Sequence, residues 1–398
     1  MPSTDDRDPD QSLSSAAVPA RHPTLTQTYL TRAFLPGTPP LTSYLLRLIA
    51  YKQTNLCLSA DVGTSAELLA VADELGDSIC VLKTHCDIVA DWTERTARAL
   101  VAIARRRRFL IFEDRKFGDI GSTVQKQYAA GPLRIASWAE LTNAHVFPGP
   151  AIITALKEAA DQTIAAYNTG VHTEISAEPR PDDSDDDDEG YHHGRRDRGR
   201  KGGRTGADDD DDAASTALTE QAMRRHDSIS QNSRDDDDDA TLPAAAAADR
   251  AARLARLERL GPAPYVRGLL LVAQMSSAGS LCAGAYTEAC VGMARRRRDF
   301  VVGFIAQEGL NAEEGDNFVS LTPGVGLAPA AGGAGGAERG GVDGLGQLYV
   351  SPRTAVLERG SDVVIVGRGI LGAKDRRAEA ERYREEAWRA YEERVRSG

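Results

Sequence analysis

The chain has 398 residues, 41% of them hydrophobic, which is enough to bury a large core. Of its net charge of −11, nine charges come from residues 176–263, where 23 acidic and 14 basic residues occur. The remaining chain is nearly neutral, which argues against a nucleic-acid-binding surface, and no apolar run approaches the ~20 residues that a membrane helix needs.

The amino-terminal segment, residues 1–23, is polar and acidic and is predicted to be a disordered tail. It resembles neither a secretory signal nor a basic transit peptide. The five cysteines form no C-x-x-C pair, and Cys57 and Cys80 lie within apolar runs. Buried thiols of this kind are typical of a reducing compartment, so we expect a cytoplasmic protein.

Short apolar segments, nearly continuous in hydrophobic residues, recur along the chain. Such runs are typical of parallel strands that are covered on both faces. The predicted strands are 55–61, 79–85, 109–116, 140–146, 268–275, 299–306, 318–323 and 362–369.

Segments with helical spacing separate these runs, for example residues 65–76 and 91–106. Eight strand–helix units in one chain predict an α/β fold of the TIM (β/α)8 barrel type, built as a single domain. A doubly wound sheet is the main alternative. It usually has a glycine-rich phosphate turn after its first strand, and "SADVGTSAE" contains no G-x-G-x-x-G motif.

Low-complexity sequence precedes strand five. Residues 176–263 contain three aspartate runs, an arginine-rich block and an alanine run, a composition that cannot bury enough apolar surface to fold. We expect a mostly disordered insertion, helical only at 249–260, that divides the barrel into residues 24–175 and 264–398. A glycine-rich segment at 326–346 is predicted to be a mobile loop that acts as a lid.

Charged and polar side chains follow several of the predicted strands. The carboxyl ends of the strands form the active-site face of a TIM barrel, so these side chains are expected to converge there. Alternation along each strand also puts Asp114 and Lys116 on one face, and Lys83 and His85 on one face. The residues in question are Asp61 after strand one, Lys83 and His85 at strand two, Asp114 and Lys116 at strand three, Ser276 after strand five, and Gly367, Arg368 and Gly369 at strand eight.

This set of residue types indicates a chemistry. A lysine held between carboxylates stays protonated, so it is suited to stabilising a developing anion and then giving it a proton. The "VGRG" stretch around Arg368 is typical of the phosphate site that barrels hold after strands seven and eight. No metal-ligand cluster is evident. The residues alone therefore indicate an enzyme acting on a phosphorylated small molecule. The alternative, a series of solvated surface turns, would have to recur at several strand ends.

The stretch "FEDRKFGDIGSTV" contains a D-x-K-x-x-D core at Asp114, Lys116 and Asp119. With "LSADV", "LKTHCDI", "ELTNAHVFPGP", "FVVGFIAQ", "TPGVGL", "GQLY" and "VGRGI" in the same order, it resembles the orotidine 5'-phosphate decarboxylase family, in its fungal form. The resemblance covers residues 24–172 and 265–392. It implies conversion of orotidine 5'-phosphate to uridine 5'-phosphate, the last step of de novo pyrimidine synthesis, without metal or organic cofactor.

The resemblance also implies roles for individual residues. Lys116 would protonate the carbanion at C6 of the pyrimidine, Asp114 would lie near the departing carboxylate, and Lys83 would complete the charged network. Asp119 and Thr123 would reach the active site of the partner subunit, so a homodimer is implied. The other implied substrate contacts are Asp61 and His85 at the ribose, Ser276 at the pyrimidine, Gln347, Tyr349 and Arg368 at the phosphate, and also Thr84, Pro323 and Gly367.

Two other functions stay open on the sequence alone. Magnesium-dependent sugar-phosphate decarboxylases and hexulose-phosphate synthases of the same superfamily also carry D-x-K-x-x-D, but they bind the metal partly through an acid at the end of strand two. Lys83 stands at that position here and would repel a cation. A scaffold with an inactive barrel and a functional acidic insertion is the other alternative, since blocks of like charge often serve as interaction segments.

Overall fold

A computed structural model describes residues 21–176, 244–327 and 346–397 of the chain. The described residues divide into two units, one made of residues from 21–171 and 255–397, and the other of residues 172–176 and 244–254. Most of the predicted tail, insertion and lid lies outside the described residues. The helix expected at 249–260 is present within Ala244–Leu260. In the described part of the chain, no helix combines the length and the apolar character of a membrane span.

Eight parallel strands form a closed barrel in sequence order, with the last strand paired to the first. The TIM-barrel prediction is therefore confirmed, and an open doubly wound sheet is excluded. Each strand lies in one of the predicted apolar runs, and the third extends one residue further. The strands are β1 Leu56–Ser59, β2 Val81–Thr84, β3 Leu110–Phe117, β4 Leu141–Ala144, β5 Gly268–Val272, β6 Val301–Ile305, β7 Val319–Thr322 and β8 Val363–Val366.

The helices that follow β1 and β2 begin at side-chain caps. The hydroxyl of Thr64 accepts the N–H of Glu67 at the start of one helix, and that of Thr93 accepts the N–H of Thr96 at the start of another. The described helices are α1 Pro23–Thr26, α2 Tyr29–Ala33, α3 Pro40–Lys52, α4 Ser65–Leu75, α5 Glu94–Arg107, α6 Gly121–Ala129, α7 Ala151–Ser176, α8 Ala244–Leu260, α9 Ala285–Arg296, α10 Arg368–Leu371 and α11 Arg376–Arg396. Single helical turns lie at Gly76–Ser78, Cys86–Ile88, Ile135–Ser137 and Thr354–Glu358.

The core lies inside the barrel and between the barrel and its helices. In each of the four-residue strands β1, β2, β4 and β8, every residue is buried. This burial is expected for parallel strands that are covered on both faces. Gly303 in β6 shows how closely the strands approach, because an added Cβ would lie 1.9 Å from the carbonyl oxygen of Val319 in β7. Only glycine fits at this position.

One irregularity interrupts the barrel, and it lies in β3. Glu113 pairs with Thr142 of β4, and the next pair is Phe117 with Ala144, so β3 contains extra residues between these two points. The bulge includes Lys116, whose φ of +50° is in the left-handed region. Bulges of this kind often re-aim side chains next to active sites. In this barrel, the bulge carries Asp114 and Lys116, the first two charged residues of the D-x-K-x-x-D motif.

Candidate active site

A cavity of about 260 Å³ opens at the carboxyl ends of the strands. Most of the side chains that the sequence predicted for the site line it, although they lie on or after six different strands of the barrel. The predicted residues that line the cavity are Asp61, Lys83, Asp114, Lys116, Ser276, Pro323, Gln347, Tyr349, Gly367 and Arg368.

Asp114 is the centre of the charged network. Its Oδ1 accepts hydrogen bonds from Lys116 Nζ and Asn143 Nδ2, both at 2.7 Å. Its Oδ2 lies 3.0 Å from Lys83 Nζ and 3.2 Å from His85 Nε2. Burial would raise the pKa of this carboxyl, but the hydrogen bond from His85 and the charges of the two lysines hold the pKa well below its ordinary value. Asp114 is therefore an anion that is surrounded by donors.

Lys83 extends the network toward Asp61, with 3.5 Å between its Nζ and Asp61 Oδ1. Burial would lower the pKa of Lys83, but the charges of Asp114 and Asp61 raise it overall. Asp61 also accepts a hydrogen bond from the hydroxyl of Ser59 at 2.9 Å. Burial opposes the ionisation of Asp61, yet its partners, His85 first among them, keep its pKa below the ordinary value. The two acids and Lys83 therefore stay charged at neutral pH.

His85 does not line the cavity and instead bridges the two acids. Its Nδ1 lies 2.8 Å from Asp61 Oδ1, and its Nε2 lies 3.2 Å from Asp114 Oδ2. Burial would lower the pKa of His85, but the hydrogen bonds to Asp114 and Asp61 raise it to about 9. Although the ammonium of Lys83 lies 3.3 Å from Nδ1, each ring nitrogen faces a carboxylate, and this arrangement favours the imidazolium form of His85.

Lys116 projects from the bulge of β3 toward the cavity, and a third of its side chain is exposed. Its backbone N–H donates to Asn143 Oδ1 at 2.7 Å. Asn143 is a buried residue of β4 and was not among the predicted site residues. It lies in "ELTNAHVFPGP", one of the stretches that carry the family resemblance. The signal in the sequence is an amide side chain inside an otherwise buried strand, where it needs polar partners.

The opposite side of the cavity is formed by loops after β5, β7 and β8. Gln347 Nε2 donates to Ser276 Oγ at 2.7 Å, and the N–H of Leu348 donates to the carbonyl of Ser276 at 2.8 Å. The guanidinium of Arg368 lies 5.6 Å from the centre of the Tyr349 ring. These contacts bring an arginine, two hydroxyl groups and an amide together, a set that can bind a phosphate and a polar ring.

Three predicted residues are placed elsewhere. The hydroxyl of Thr84 is fully buried and donates to Glu113 Oε2 at 2.7 Å, away from the cavity. Asp119 is half-buried in the loop after β3, where it accepts the N–H of Ile120 at 2.8 Å, and Thr123 is exposed on α6. Neither Asp119 nor Thr123 lines the cavity of its own chain.

Carboxylates and imidazoles can also ligate metal ions. Over the described residues 21–176, 244–327 and 346–397, no group of three or more His, Cys, Asp or Glu side chains is arranged to hold one. In the charged network, the ammonium of Lys83 stands between Asp61 and Asp114. A cation of the protein itself therefore occupies the space between the two acids.

Comparison with known proteins adds independent information. The family model described as "Orotidine 5'-phosphate decarboxylase / HUMPS family" matches residues 54–383. An orotidine 5'-phosphate decarboxylase from Aureobasidium pullulans is 43% identical over 373 residues, with 94% of this chain and 96% of that protein covered. One from Hypocrea atroviridis is 41% identical over 380 residues, with 94% and 99% covered. A uridine 5'-monophosphate synthase from Bos taurus is 37% identical over 360 residues, with 90% and 51% covered. The chain belongs to the orotidine 5'-phosphate decarboxylase / HUMPS family.

Proposed function

We propose that the protein decarboxylates orotidine 5'-phosphate to uridine 5'-phosphate, the last step of de novo pyrimidine synthesis. The observation that carries this function is the placement of Lys116 Nζ at the cavity, 2.7 Å from Asp114 and within a network that also contains Lys83. The names and coverage of the fungal relatives point to the same reaction.

The chemistry requires a cation that is in place before the reaction. When the bond between C6 and the carboxylate breaks, CO2 leaves and the electron pair remains on C6, in the plane of the ring, with no adjacent carbonyl to delocalise it. The ammonium of Lys116 stabilises this pair and then transfers a proton to C6, forming the C–H bond of the product. Solvent returns the proton to the amine. Asp114, near the departing carboxylate, fixes the direction of the ammonium.

The remaining cavity residues would bind the nucleotide. Asp61 accepts the ribose hydroxyls, Ser276 contacts the pyrimidine, and Arg368 binds the phosphate, with Gln347 and Tyr349 beside it. The phosphate lies far from C6, so its binding energy can hold the reacting ring against Lys116 without changing the ring itself.

The activity of the magnesium-dependent enzymes of the same superfamily is the alternative function, and metal dependence distinguishes the two. The ammonium of Lys83 is 3.0 Å from Asp114 and 3.5 Å from Asp61, so it repels a divalent cation from both acids. The test follows the conversion of orotidine 5'-phosphate by the purified protein in excess EDTA. We expect undiminished turnover. Loss of turnover in EDTA, restored by magnesium, would favour the alternative, and no turnover under either condition would refute the decarboxylase function.

We also propose that the enzyme is a homodimer in which Asp119 and Thr123 complete the partner's active site. Asp119 lies outside its own cavity, and large apolar side chains are exposed near it. Ile120 is 56% exposed, and Phe147, 69% exposed, lies over Gly118, where an added Cβ would come within 2.9 Å of the ring. A second copy of the chain would cover this apolar surface.

Mixing two inactive variants tests the shared site. Lys116→Ala and Asp119→Ala should each be inactive alone. After denaturation together and refolding at equal amounts, about half of the dimers are mixed, and each has one intact site, so about a quarter of the wild-type activity should return. If Lys116 and Asp119 acted within one chain, every site of a mixed dimer would carry a defect and no activity would return.

A cytoplasmic location is proposed on the basis of the thiols. All five cysteines are free, and Cys57, Cys80, Cys86 and Cys290 are buried. Unpaired buried thiols are typical of a reducing compartment. Imaging a carboxyl-terminal fluorescent fusion in a fungal host would test this, with diffuse cytoplasmic signal expected and signal confined to an organelle as the contradicting result.

A further inference from the structure

We propose that Asn143 is a positioning residue for the decarboxylation, an inference that rests on the proposed function. Its side-chain amide contacts both Lys116 and Asp114. Its Oδ1 accepts the backbone N–H of Lys116, and its Nδ2 donates to Asp114 Oδ1, each at 2.7 Å. The same Asp114 oxygen accepts the hydrogen bond from Lys116 Nζ. One buried amide thereby joins the backbone of Lys116 to the carboxylate that orients its ammonium.

The backbone at Lys116 needs such a contact. Between Glu113 and Phe117, the regular pairing of β3 with β4 is interrupted, so the N–H of Lys116 falls where the strand ladder shifts. A buried N–H without a partner would destabilise this arrangement by the cost of its desolvation. The Asn143 amide supplies the missing acceptor from the neighbouring strand.

The conformation of Lys116 is itself unusual. Its φ of +50° is rarely adopted by residues with a side chain. The other described non-glycine residues with positive φ are Gln53 and Arg108, which end helices, and Arg134, which precedes a helical turn. Lys116 alone among these four lies within a strand. Strained backbone persists where surrounding contacts hold it, and at functional sites it sets the direction of a side chain.

The orientation of the amide follows from its two partners. An oxygen must face the N–H of Lys116, because an NH2 group there would meet another donor. The NH2 group must face Asp114, because an amide oxygen there would meet a carboxylate oxygen. Both contacts are made by one orientation only, so a side chain of the same size without this pair of groups cannot replace the amide.

Loss of the amide should therefore affect catalysis more than binding. Without it, the bulge is free to relax toward an ordinary extended φ, which moves Lys116 Nζ away from Asp114. A displacement of about 1 Å at a reacting group can reduce the rate ~100-fold. The residues proposed to bind ribose and phosphate, Asp61 and Arg368, follow other strands, β1 and β8, and keep their places.

The first test replaces Asn143 by leucine, which has a similar size and no polar group. The matched control is Asn55→Leu, because Asn55 is also fully buried but lies next to β1 at the opposite end of the barrel, where it donates to the carbonyl of Ala387. We expect kcat of Asn143→Leu to fall ~100-fold, with KM for orotidine 5'-phosphate within ~3-fold of wild type. The kcat of folded Asn55→Leu should stay within ~3-fold. Equal losses of kcat in both variants, or a raised KM at unchanged kcat, would overturn the inference.

A second variant, Asn143→Asp, gives a readout that a purely structural residue would not change. When protonated, the introduced carboxyl can still accept from Lys116 N–H and donate to Asp114, but when ionised it repels Asp114. We expect its kcat to fall as the pH rises, through an ionisation that the wild type lacks. A pH profile parallel to that of the wild type would contradict the inference. The titratable groups that contact the amide are Asp114 and, through its backbone, Lys116, and those that act on these two partners are Lys83, His85 and His145.

Hydrogen exchange of the Lys116 amide separates this inference from the proposed function, because it needs no substrate. We expect strong protection in the wild type and in Asn55→Leu, and exchange at least ~10-fold faster in Asn143→Leu. Unchanged protection in Asn143→Leu would overturn the inference even if activity were lost. If the wild type failed to turn over orotidine 5'-phosphate, the proposed function would be refuted. The exchange rates would still show whether Asn143 stabilises the bulge at Lys116.

Discussion

The two ends of this barrel both bury charged side chains, but they use them differently. At the amino end, Arg32 on α2 and Arg394 on α11 surround Asp362, and all three are almost completely buried. Asp362 also accepts the N–H of Ser320. At the same end of the barrel, Lys52 Nζ donates to four backbone carbonyls at 2.7–2.9 Å, and burial lowers the pKa of Lys52 to about 7. These side chains face protein atoms and join the segments that precede the strands.

At the carboxyl end, the charges face a cavity as well as each other. Asp114 has donors on both oxygens, and Lys116 has one acid at 2.7 Å and a third of its side chain exposed. An ion pair that is enclosed on all sides can only contribute to stability or specificity of folding. A cation that is fixed on one side and open on the other can act on a ligand. The comparison therefore predicts that charge removal affects stability at one end and catalysis at the other.

Among the acids, the largest effect is expected for Asp114→Asn, with Glu113→Gln as the matched control. The two acids are adjacent in sequence, but Glu113 points away from the cavity toward Thr84 and Cys86, and burial raises its pKa to about 7. Without the charge of Asp114, the ammonium of Lys116 loses its fixed direction, so kcat should fall ~1000-fold. Steady-state kinetics of Glu113→Gln should show kcat within ~3-fold of wild type. Comparable losses of kcat in both variants would contradict the claim that only the face of β3 that carries Asp114 takes part in catalysis.

At the amino end, Asp362→Ala should lower the free energy of unfolding by about 3–5 kcal/mol, because it leaves two buried guanidinium groups without their carboxylate. Urea titration measures this change. The control is Asp375→Ala, which removes an exposed helix cap and should cost about 1 kcal/mol. The kcat of the folded Asp362→Ala protein should match the wild type. A stable Asp362→Ala protein with lost kcat would contradict the assignment of this end to stability.

The smallest effect is expected for the contribution of His85 to the pH dependence of the free energy of unfolding. Its folded pKa of about 9 exceeds the unfolded value of 6.5, so its stabilising contribution is complete below about pH 6.5 and is lost as the pH rises through about 9. The free energy of unfolding of the wild type minus that of His85→Gln should be larger near pH 6 than near pH 9.5. Burial lowers the pKa of His145, so the corresponding difference for His145→Gln should not increase toward low pH. Equal pH trends for the two variants would contradict the imidazolium at His85.

Much of this arrangement could be predicted from the sequence, for physical reasons. A parallel strand covered on both faces is apolar along most of its length, which is why runs such as 79–85 and 362–369 contain β2 and β8. The carboxyl ends of barrel strands meet at one face, which is why Asp61, Lys83 and Arg368 line one cavity although they are far apart in the chain.

Other features depend on contacts that a single sequence does not reveal. Alternation predicts that Asp114 and Lys116 share a face of the strand. It does not predict the bulge that contains both residues or the left-handed φ at Lys116. Asn143 enters the site only because this bulge leaves an N–H that its amide can accept. Thr84 was included through the family resemblance, yet it lies between Lys83 and His85, so alternation already turns its hydroxyl toward the outer layer and Glu113.

The central claim is that the ammonium of Lys116, held by Asp114 at the cavity, protonates C6 of the substrate. The most direct measurement is kcat/KM for orotidine 5'-phosphate, in EDTA, of Lys116→Ala against the wild type, with Arg115→Ala as the neighbouring control. We predict a loss of at least ~10,000-fold for Lys116→Ala, in line with removal of both the electrostatic and the proton-transfer contribution, and a change within ~3-fold for Arg115→Ala. Retention of more than about a tenth of the wild-type value by Lys116→Ala would contradict the mechanism.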